Sequence, residues 1–180
     1  MSTPEEVFQK ALSDYQSEPE DSISQYNLAC CYHWGDGTSP DYVQAVKLYQ
    51  KASNAGVPEA TANLGLLYLY GQGVPADPLK AAALLKSAAE RGNVAAMAAL
   101  GGILASRRYL KAFGDNPQLG IEWLEKAAEH DDPVAIHNLG LAYVTGVGVR
   151  RNMVKGVSLL RKSASLGNEL SIKTLEELNA

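Results

Sequence analysis

Apolar and small residues recur along this chain at the three- and four-residue spacing of an α-helix, in short runs that end at glycine. One run places four such positions on a single helical face, namely Ala60, Leu64, Leu67 and Tyr68. It stops at Gly71 and Gly73, and glycine readily adopts the left-handed backbone that ends helices. A second run starts after Asp77, whose side chain can cap a helix, and stops at Gly92. Residues 60–92 therefore predict two helices joined by a glycine turn.

The two-helix pattern occurs four times. Its reference positions are Leu28, Leu64, Leu100 and Leu139, and their spacings of 36, 36 and 39 residues indicate a three-residue insertion in the third copy. The repeats are expected at residues 21–56, 57–92, 93–131 and 132–167, with capping helices at residues 1–20 and 168–180. One helix pair cannot bury its apolar face alone, whereas stacked pairs can. We therefore expect one repeat domain over residues 1–180.

The second helix of each repeat is expected to begin at a capping Asp or Asn and to cross the first helix closely. The capping residues are Asp41, Asp77, Asn116 and Asn152. The small residues expected at the crossings are Gly65, Gly101, Gly140, Ala45 and Ala81. A glycine inside a helix costs about 1 kcal/mol relative to alanine, so its recurrence at one position indicates close packing.

The repeated unit reads L-G-x-x-Y-x-x-G-x-G-V-x-x-D-x-x-K-A, followed by K-x-A-A-x-x-G, and it resembles the Sel-1-like repeat, a relative of the tetratricopeptide repeat. The resemblance implies an all-α fold, a right-handed α/α solenoid of four helix-pair repeats with N- and C-terminal capping helices. It also implies a non-enzymatic adaptor or scaffold that binds another protein. Some bacterial members are immunity partners of toxins, so an immunity or inhibitor protein is the alternative.

In repeats of this kind the first helices line a concave groove, and polar or aromatic residues beside the Leu-Gly pair are expected to be exposed there. The expected groove residues are Tyr26, Asn27, His33, Trp34, Glu59, Asn63, Tyr70, His137, Asn138 and Lys173. The three asparagines occupy one repeat position, and an amide can pair with the main chain of an extended peptide. Alternatively, they bridge neighbouring helices. Trp34 either anchors a partner or covers the core.

Repeat 3 replaces the glycine turn with a basic and aromatic stretch, residues 103–115. We expect the first helix of this repeat to run to about Tyr109 before the chain turns at Gly114. With the corresponding loop of repeat 4, the stretch would form a basic edge made of Arg107, Arg108, Tyr109, Lys111, Arg150 and Arg151. Such an edge would attract an acidic surface of a partner protein. The alternative is a solvated loop without a binding role.

Composition and charge narrow the classes of function. A net charge of −4 argues against nucleic-acid binding, which relies on an excess of Lys and Arg. The chain has no apolar stretch typical of a signal peptide or membrane span, so we expect a cytoplasmic protein without membrane contact. Cys30 and Cys31 are expected as reduced thiols, because adjacent cysteines rarely form a disulfide.

Patterns typical of catalysis are missing from the sequence. His33, His130 and His137 lack the spacing of a zinc site. The G-x-G turns follow helices rather than strands, unlike phosphate-binding loops. We therefore expect no metal, no cofactor and no enzymatic activity. The alternative from a different class is a thiol-dependent or amide-hydrolysing enzyme that would use Cys30 or Cys31 near His33.

Overall fold

The computed structural model describes residues 2–106, 109, 114 and 116–179, and this part of the chain is helical without any strand. In these residues ten helices follow one another, α1 (Pro4–Ser17), α2 (Ser22–Trp34), α3 (Tyr42–Asn54), α4 (Pro58–Tyr70), α5 (Pro78–Glu90), α6 (Val94–Leu104), α7 (Pro117–Ala128), α8 (Pro133–Thr145), α9 (Met153–Ser165) and α10 (Glu169–Asn179). The predicted all-α fold is confirmed. Helices α2, α4, α6 and α8 are the first helices of the repeats, and α3, α5, α7 and α9 are the second.

The second helices begin at the residues that the sequence predicts. The side chain of Asp41 accepts a hydrogen bond from the amide of Gln44, 3.0 Å away. Asp77 and Asn152 cap α5 and α9 in the same way, also at 3.0 Å. Asn116 precedes α7 without such a bond. Since a capping side chain satisfies an amide that the first helical turn leaves open, the repeated Asp or Asn sets these boundaries.

The two helices of a repeat cross at the predicted small residues. A methyl group built on Gly101 would lie 2.6 Å from Cγ of Leu124 and 2.8 Å from the carbonyl oxygen of Gly120. A methyl group on Gly140 would lie 2.8 Å from Cγ of Leu160. All three distances are below van der Waals contact, so only glycine allows the helices to approach this closely. Repeat 1 has the fully buried Ala29 instead.

In the repeats that have the glycine turn, its second glycine packs against the start of the preceding second helix or, in repeat 1, of α1. Gly73 has a φ of 71°, and a methyl group there would lie 2.5 Å from the carbonyl carbon of Tyr42, the first residue of α3. Gly37 packs in the same way against Pro4, the first residue of α1. Helix α1 therefore packs against repeat 1 as a second helix would, which explains how it caps the N-terminal repeat.

The first helix of repeat 3 is shorter than expected. Helix α6 ends at Leu104, and the prediction that it runs to about Tyr109 is wrong. The amide of Ser106 bonds to the carbonyl of Ile103 at 3.1 Å, and that of Tyr109 bonds to Ser106 at 3.0 Å. The bond of Ser106 spans three residues instead of four, so the backbone leaves the α-helix after Leu104.

Contacts divide the chain into two compact units. The N-terminal unit, residues 1–91, holds α1 to α5, and the C-terminal unit, residues 92–180, holds α6 to α10. The core of the N-terminal unit includes Leu28, Tyr49 and Leu64. The core of the C-terminal unit includes Leu124 and Leu139. Each unit therefore buries apolar residues of both first and second helices.

Candidate functional site

The N-terminal unit gathers three expected groove residues around one phenol. Asn63 donates a hydrogen bond from Nδ2 to the hydroxyl of Tyr49, 3.1 Å away, and Nδ1 of His33 lies 3.2 Å from the same hydroxyl. This hydroxyl donates to Sγ of Cys30 at 3.4 Å. The ring of Tyr26 lies 6.0 Å from the ring of Tyr49, measured between centroids. We call these five residues the phenol cluster.

Burial determines the protonation of the phenol cluster. Tyr49 has no exposed surface, and burial together with its hydrogen bond to Cys30 raises its pKa above the ordinary value of a phenol. Burial also raises the pKa of Tyr26 to about 12 and lowers the pKa of His33. Both phenols and the imidazole are therefore uncharged at neutral pH, and the cluster is held by hydrogen bonds between neutral groups.

Sequence reasoning missed Tyr49. The other repeats have a leucine at this position of the second helix, and all of these leucines are fully buried, namely Leu85, Leu124 and Leu160. A tyrosine in a series of buried leucines was the available signal, since a buried hydroxyl needs a partner. Because Asn63 satisfies that hydroxyl, it bridges α4 to α3, which is one of the two roles expected of the asparagines.

Replacing Tyr49 by phenylalanine is expected to lower the free energy of unfolding by about 1–3 kcal/mol. The ring still fills its place, but the donor of Asn63 and the nitrogen of His33 lose their buried partner. Chemical denaturation of both proteins measures the difference. Tyr68→Phe is the control, because the Tyr68 hydroxyl accepts its bond from the exposed Lys80 ammonium, and an exposed bond contributes little. Equal losses in the two variants would contradict the bridging role of Tyr49.

The expected exposure of His33 and His137 is wrong, because each side chain is only 6 % exposed. The ring of His33 stacks on Trp34 with centroids 4.1 Å apart and also contacts the phenol cluster. Nδ1 of His137 lies 2.8 Å from Oγ of Ser171, a fully buried residue of α10. A hydroxyl on a neighbouring helix pairs with Nδ1 of each imidazole, which favours their burial.

His137 is expected to make folding less stable in mild acid. Burial lowers its pKa in the folded state below the ordinary value of 6.5. The unfolded chain therefore binds the proton more readily, so stability is retained above pH 6.5 and is lost as the pH falls towards the lower folded pKa. His137→Asn keeps a hydrogen-bonding group near Ser171 and should flatten the dependence of unfolding free energy on pH between about 7.5 and about 5.5. Parallel curves for variant and wild type would show that His137 does not titrate in this way.

The remaining groove residues of the N-terminal unit lie near its surface, and two of them are prominent aromatic rings. Asn27 and Glu59 are exposed. Trp34 and Tyr70 are the last residues of α2 and α4, and they are 64 % and 68 % exposed. Trp34 covers His33 but leaves most of its own ring in solvent. The expected anchor role therefore has the exposed surface that it requires.

In the C-terminal unit, a pocket of about 300 Å³ lies between α6 and α8, and we call it the α6–α8 pocket. Small and uncharged residues line it, among them Gly102, Ala105, Ser106, Asn138, Leu141 and Thr145. Half-buried Asn138 was expected at the groove, and the exposed Lys173 was expected in the same unit. The other lining residues were missed, because small side chains form a pocket only once two particular helices lie side by side.

The basic edge is described only in part. Arg150 and Arg151 are exposed, and Nε of Arg151 donates to the carbonyl of Val144 at 3.0 Å. Tyr109 is half-buried. The other members of the edge, Arg107, Arg108 and Lys111, lie outside the described residues, so the edge stays a prediction.

The environment of Cys31 does not favour thiol chemistry. Burial, and then the charges of Asp36 and Cys30, raise the pKa of Cys31, whereas a nucleophilic thiol needs a lowered pKa. The His33 imidazole is next to Tyr49 rather than positioned as a base by a carboxylate. Within the described residues, no three His, Cys, Asp or Glu side chains are grouped so that they could hold a metal ion. None of the described helices has the length and apolar character needed to cross a membrane.

Solved structures at or above 30 % identity share this fold. A Sel1 repeat protein from Oxalobacter formigenes is 30 % identical over 94 % of this chain and 69 % of that protein, with a TM-score of 0.74. A protective antigen of uropathogenic Escherichia coli is 33 % identical over 87 % of this chain, with a TM-score of 0.70. This chain spans only 33 % of the antigen. An immunity protein of Pseudomonas aeruginosa is 23 % identical over 95 % of this chain and 61 % of that protein, with a TM-score of 0.62, and at this identity it shows the fold alone.

A search of the curated proteins finds no match. The family model of the Sel1 repeat matches residues 22–57, 58–93, 94–132 and 133–168. These four matches cover most of the chain and extend over parts of both compact units. The chain therefore belongs to the Sel1 repeat family.

Proposed function

We propose that this protein is a non-enzymatic interaction module that binds an extended segment of a partner protein along the exposed faces of its first helices. Sel1 repeat proteins are generally protein–protein interaction modules. The observation that carries the proposal is the pair of exposed rings, Trp34 and Tyr70, at the same position of consecutive first helices.

Large aromatic residues contribute most to binding when the complex buries them and when little conformational freedom is lost. Trp34 meets the second condition, since stacking on the buried His33 ring already restrains it. Asn27 and Glu59 lie on the same two helices and are exposed, so they supply the polar rim of such an interface. The N-terminal unit thus supplies aromatic anchors and polar groups on adjacent first helices.

Affinity capture from the source cell tests the proposal. The double variant Trp34→Ala, Tyr70→Ala is expected to lose a partner that wild type retains, with the partner identified by mass spectrometry. Leu79→Ala is the matched control, because Leu79 is an exposed apolar residue of the same unit but belongs to the second helix α5. Equal recovery with the double variant would remove the first helices as the binding surface. Recovery of a toxin would assign the chain to the immunity alternative.

A further inference from the structure

The place of the α6–α8 pocket has a counterpart in the N-terminal unit. Helices α6 and α8 are the first helices of repeats 3 and 4, and α2 and α4 are the first helices of repeats 1 and 2. Four of the residues around the pocket are Gly102, Ala105, Ser106 and Thr145, and at the same repeat positions the N-terminal unit has Cys30, His33, Trp34 and Tyr70. At three of these four positions the C-terminal unit has a small side chain where the N-terminal unit has a ring. The C-terminal unit therefore has open space where the other unit has its own aromatic groups.

The two units also differ in the hydrogen-bond partner of the asparagine at this site. Asn63 donates to the phenol of Tyr49, which comes from the adjacent second helix. Asn138 is the same residue of its repeat, but Leu124 stands in place of that tyrosine and has no hydroxyl to offer. The half-buried Asn138 amide makes no hydrogen bond within the described part of the chain. The C-terminal unit thus keeps the asparagine but lacks the phenol that it binds.

Size and charge restrict what can fill the pocket. Its volume is about 300 Å³, and a cavity of roughly 150 Å³ already accommodates a benzene ring. None of the described lining residues carries an ionisable group, so a charged side chain would find no counter-charge among them. A neutral aromatic side chain with a hydroxyl satisfies the volume, the apolar walls and the unpaired amide together.

We propose that the α6–α8 pocket binds a tyrosine side chain of the partner, with Asn138 donating to its phenol as Asn63 donates to Tyr49. This inference rests on the proposed peptide-binding function and specifies one residue of the bound segment. The ring lies against Gly102, Ala105 and Leu141. The pocket thereby selects tyrosine over phenylalanine by one hydrogen bond, and over charged residues by the cost of removing them from water.

Blocked tripeptides of the form acetyl-Ala-X-Ala-methylamide test the pocket, with X as Tyr, Phe, Leu, Glu or Lys. Titration into the full-length, ¹⁵N-labelled protein is followed by amide chemical shifts. The Tyr peptide is expected to shift the signals of Gly102, Thr145 and the Asn138 side chain, with dissociation constants in roughly the millimolar range. It should bind about five-fold more tightly than the Phe peptide, since a neutral hydrogen bond contributes that much. Glu and Lys peptides should cause no shifts there.

Two variants separate the ring site from the hydrogen bond. Asn138→Ala should bind the Tyr and Phe peptides equally, while Phe binding persists. Ala105→His introduces the residue that stands at this position in α2, where the His33 side chain is only 6 % exposed, and it should block every peptide because its ring occupies the pocket. Ala105 is half-buried and lines the pocket just after the end of α6, so the larger residue leaves the core unchanged. Val154→Ala, an exposed position of α9, is the control that should bind as wild type does.

Equal affinity for all five peptides, or a preference for Tyr that survives Asn138→Ala, would overturn the assignment. The absence of any shift at the pocket would do the same, even where capture of the partner depends on Trp34 and Tyr70. In that case the proposed function stands and only the tyrosine pocket fails. Tyrosine-selective shifts support the pocket even if capture does not depend on those two rings.

Discussion

Replacing Gly73 by alanine is expected to lower the free energy of unfolding by about 2–5 kcal/mol, one of the largest effects of any single methyl group in this protein. Two costs add. Gly73 has a φ of 71°, in the left-handed region, and the new methyl group would meet the carbonyl carbon of Tyr42 at 2.5 Å. Backbone at the start of α3 cannot move aside as a flexible side chain can. Chemical denaturation of the purified variant measures the loss.

Gly56→Ala is the control that isolates the backbone cost. Gly56 is in the same unit with a φ of 93°, and the nearest atom to its new methyl group would be Nη2 of Arg91, an ordinary contact at 3.7 Å. We expect this variant to lose only about 1–2 kcal/mol. If both variants lose the same amount, close packing of the glycine turn on the preceding helix is not what Gly73 provides.

Alanine at Gly101 is expected to lower the free energy of unfolding by about 1–3 kcal/mol, although alanine is the better helix former. The methyl group would lie 2.6 Å from Leu124 and 2.8 Å from the carbonyl oxygen of Gly120, so α6 and α7 must separate. The neighbouring Gly102 provides the matched control in the same helix. There the methyl group meets mainly the movable Nδ2 of Asn138, at 2.9 Å.

Gly102→Ala should therefore keep the gain in helix propensity and raise stability by up to about 1 kcal/mol. Opposite signs at adjacent positions would separate packing from propensity within one helix. A similar change in both variants would mean that propensity, rather than the crossing of α6 and α7, governs this helix. Denaturation curves of the two variants and wild type give the comparison directly.

Much of the fold could be predicted because its signals are local. A capping side chain such as Asp41 acts on an amide three residues away, and a helix-ending glycine acts on its own backbone. The close crossings were also predictable, since the small residues recur at one repeat position. The end of α6 was not predicted correctly, because the repeat pattern that marks the other turns is missing there.

The candidate site was predicted less well, because burial depends on partners that are distant in sequence. His137 was expected at the surface but is buried against Ser171, 34 residues later. His33 is buried against Tyr49, which a search limited to first helices could not include. The exposed positions Trp34 and Tyr70 were placed correctly at the surface, since both come at the end of a first helix just before its turn.

The sequence by itself determined the family, the helix-pair repeat and most helix boundaries, because these depend on short-range rules repeated four times. Only the tertiary structure decided what equivalent residues do. Asn63 and Asn138 occupy one repeat position, yet Asn63 is bound to a buried phenol and Asn138 faces a pocket. The difference comes from the second helix, where Tyr49 supplies a hydroxyl and Leu124 does not. A polar side chain becomes structural or available for binding according to what packing places beside it.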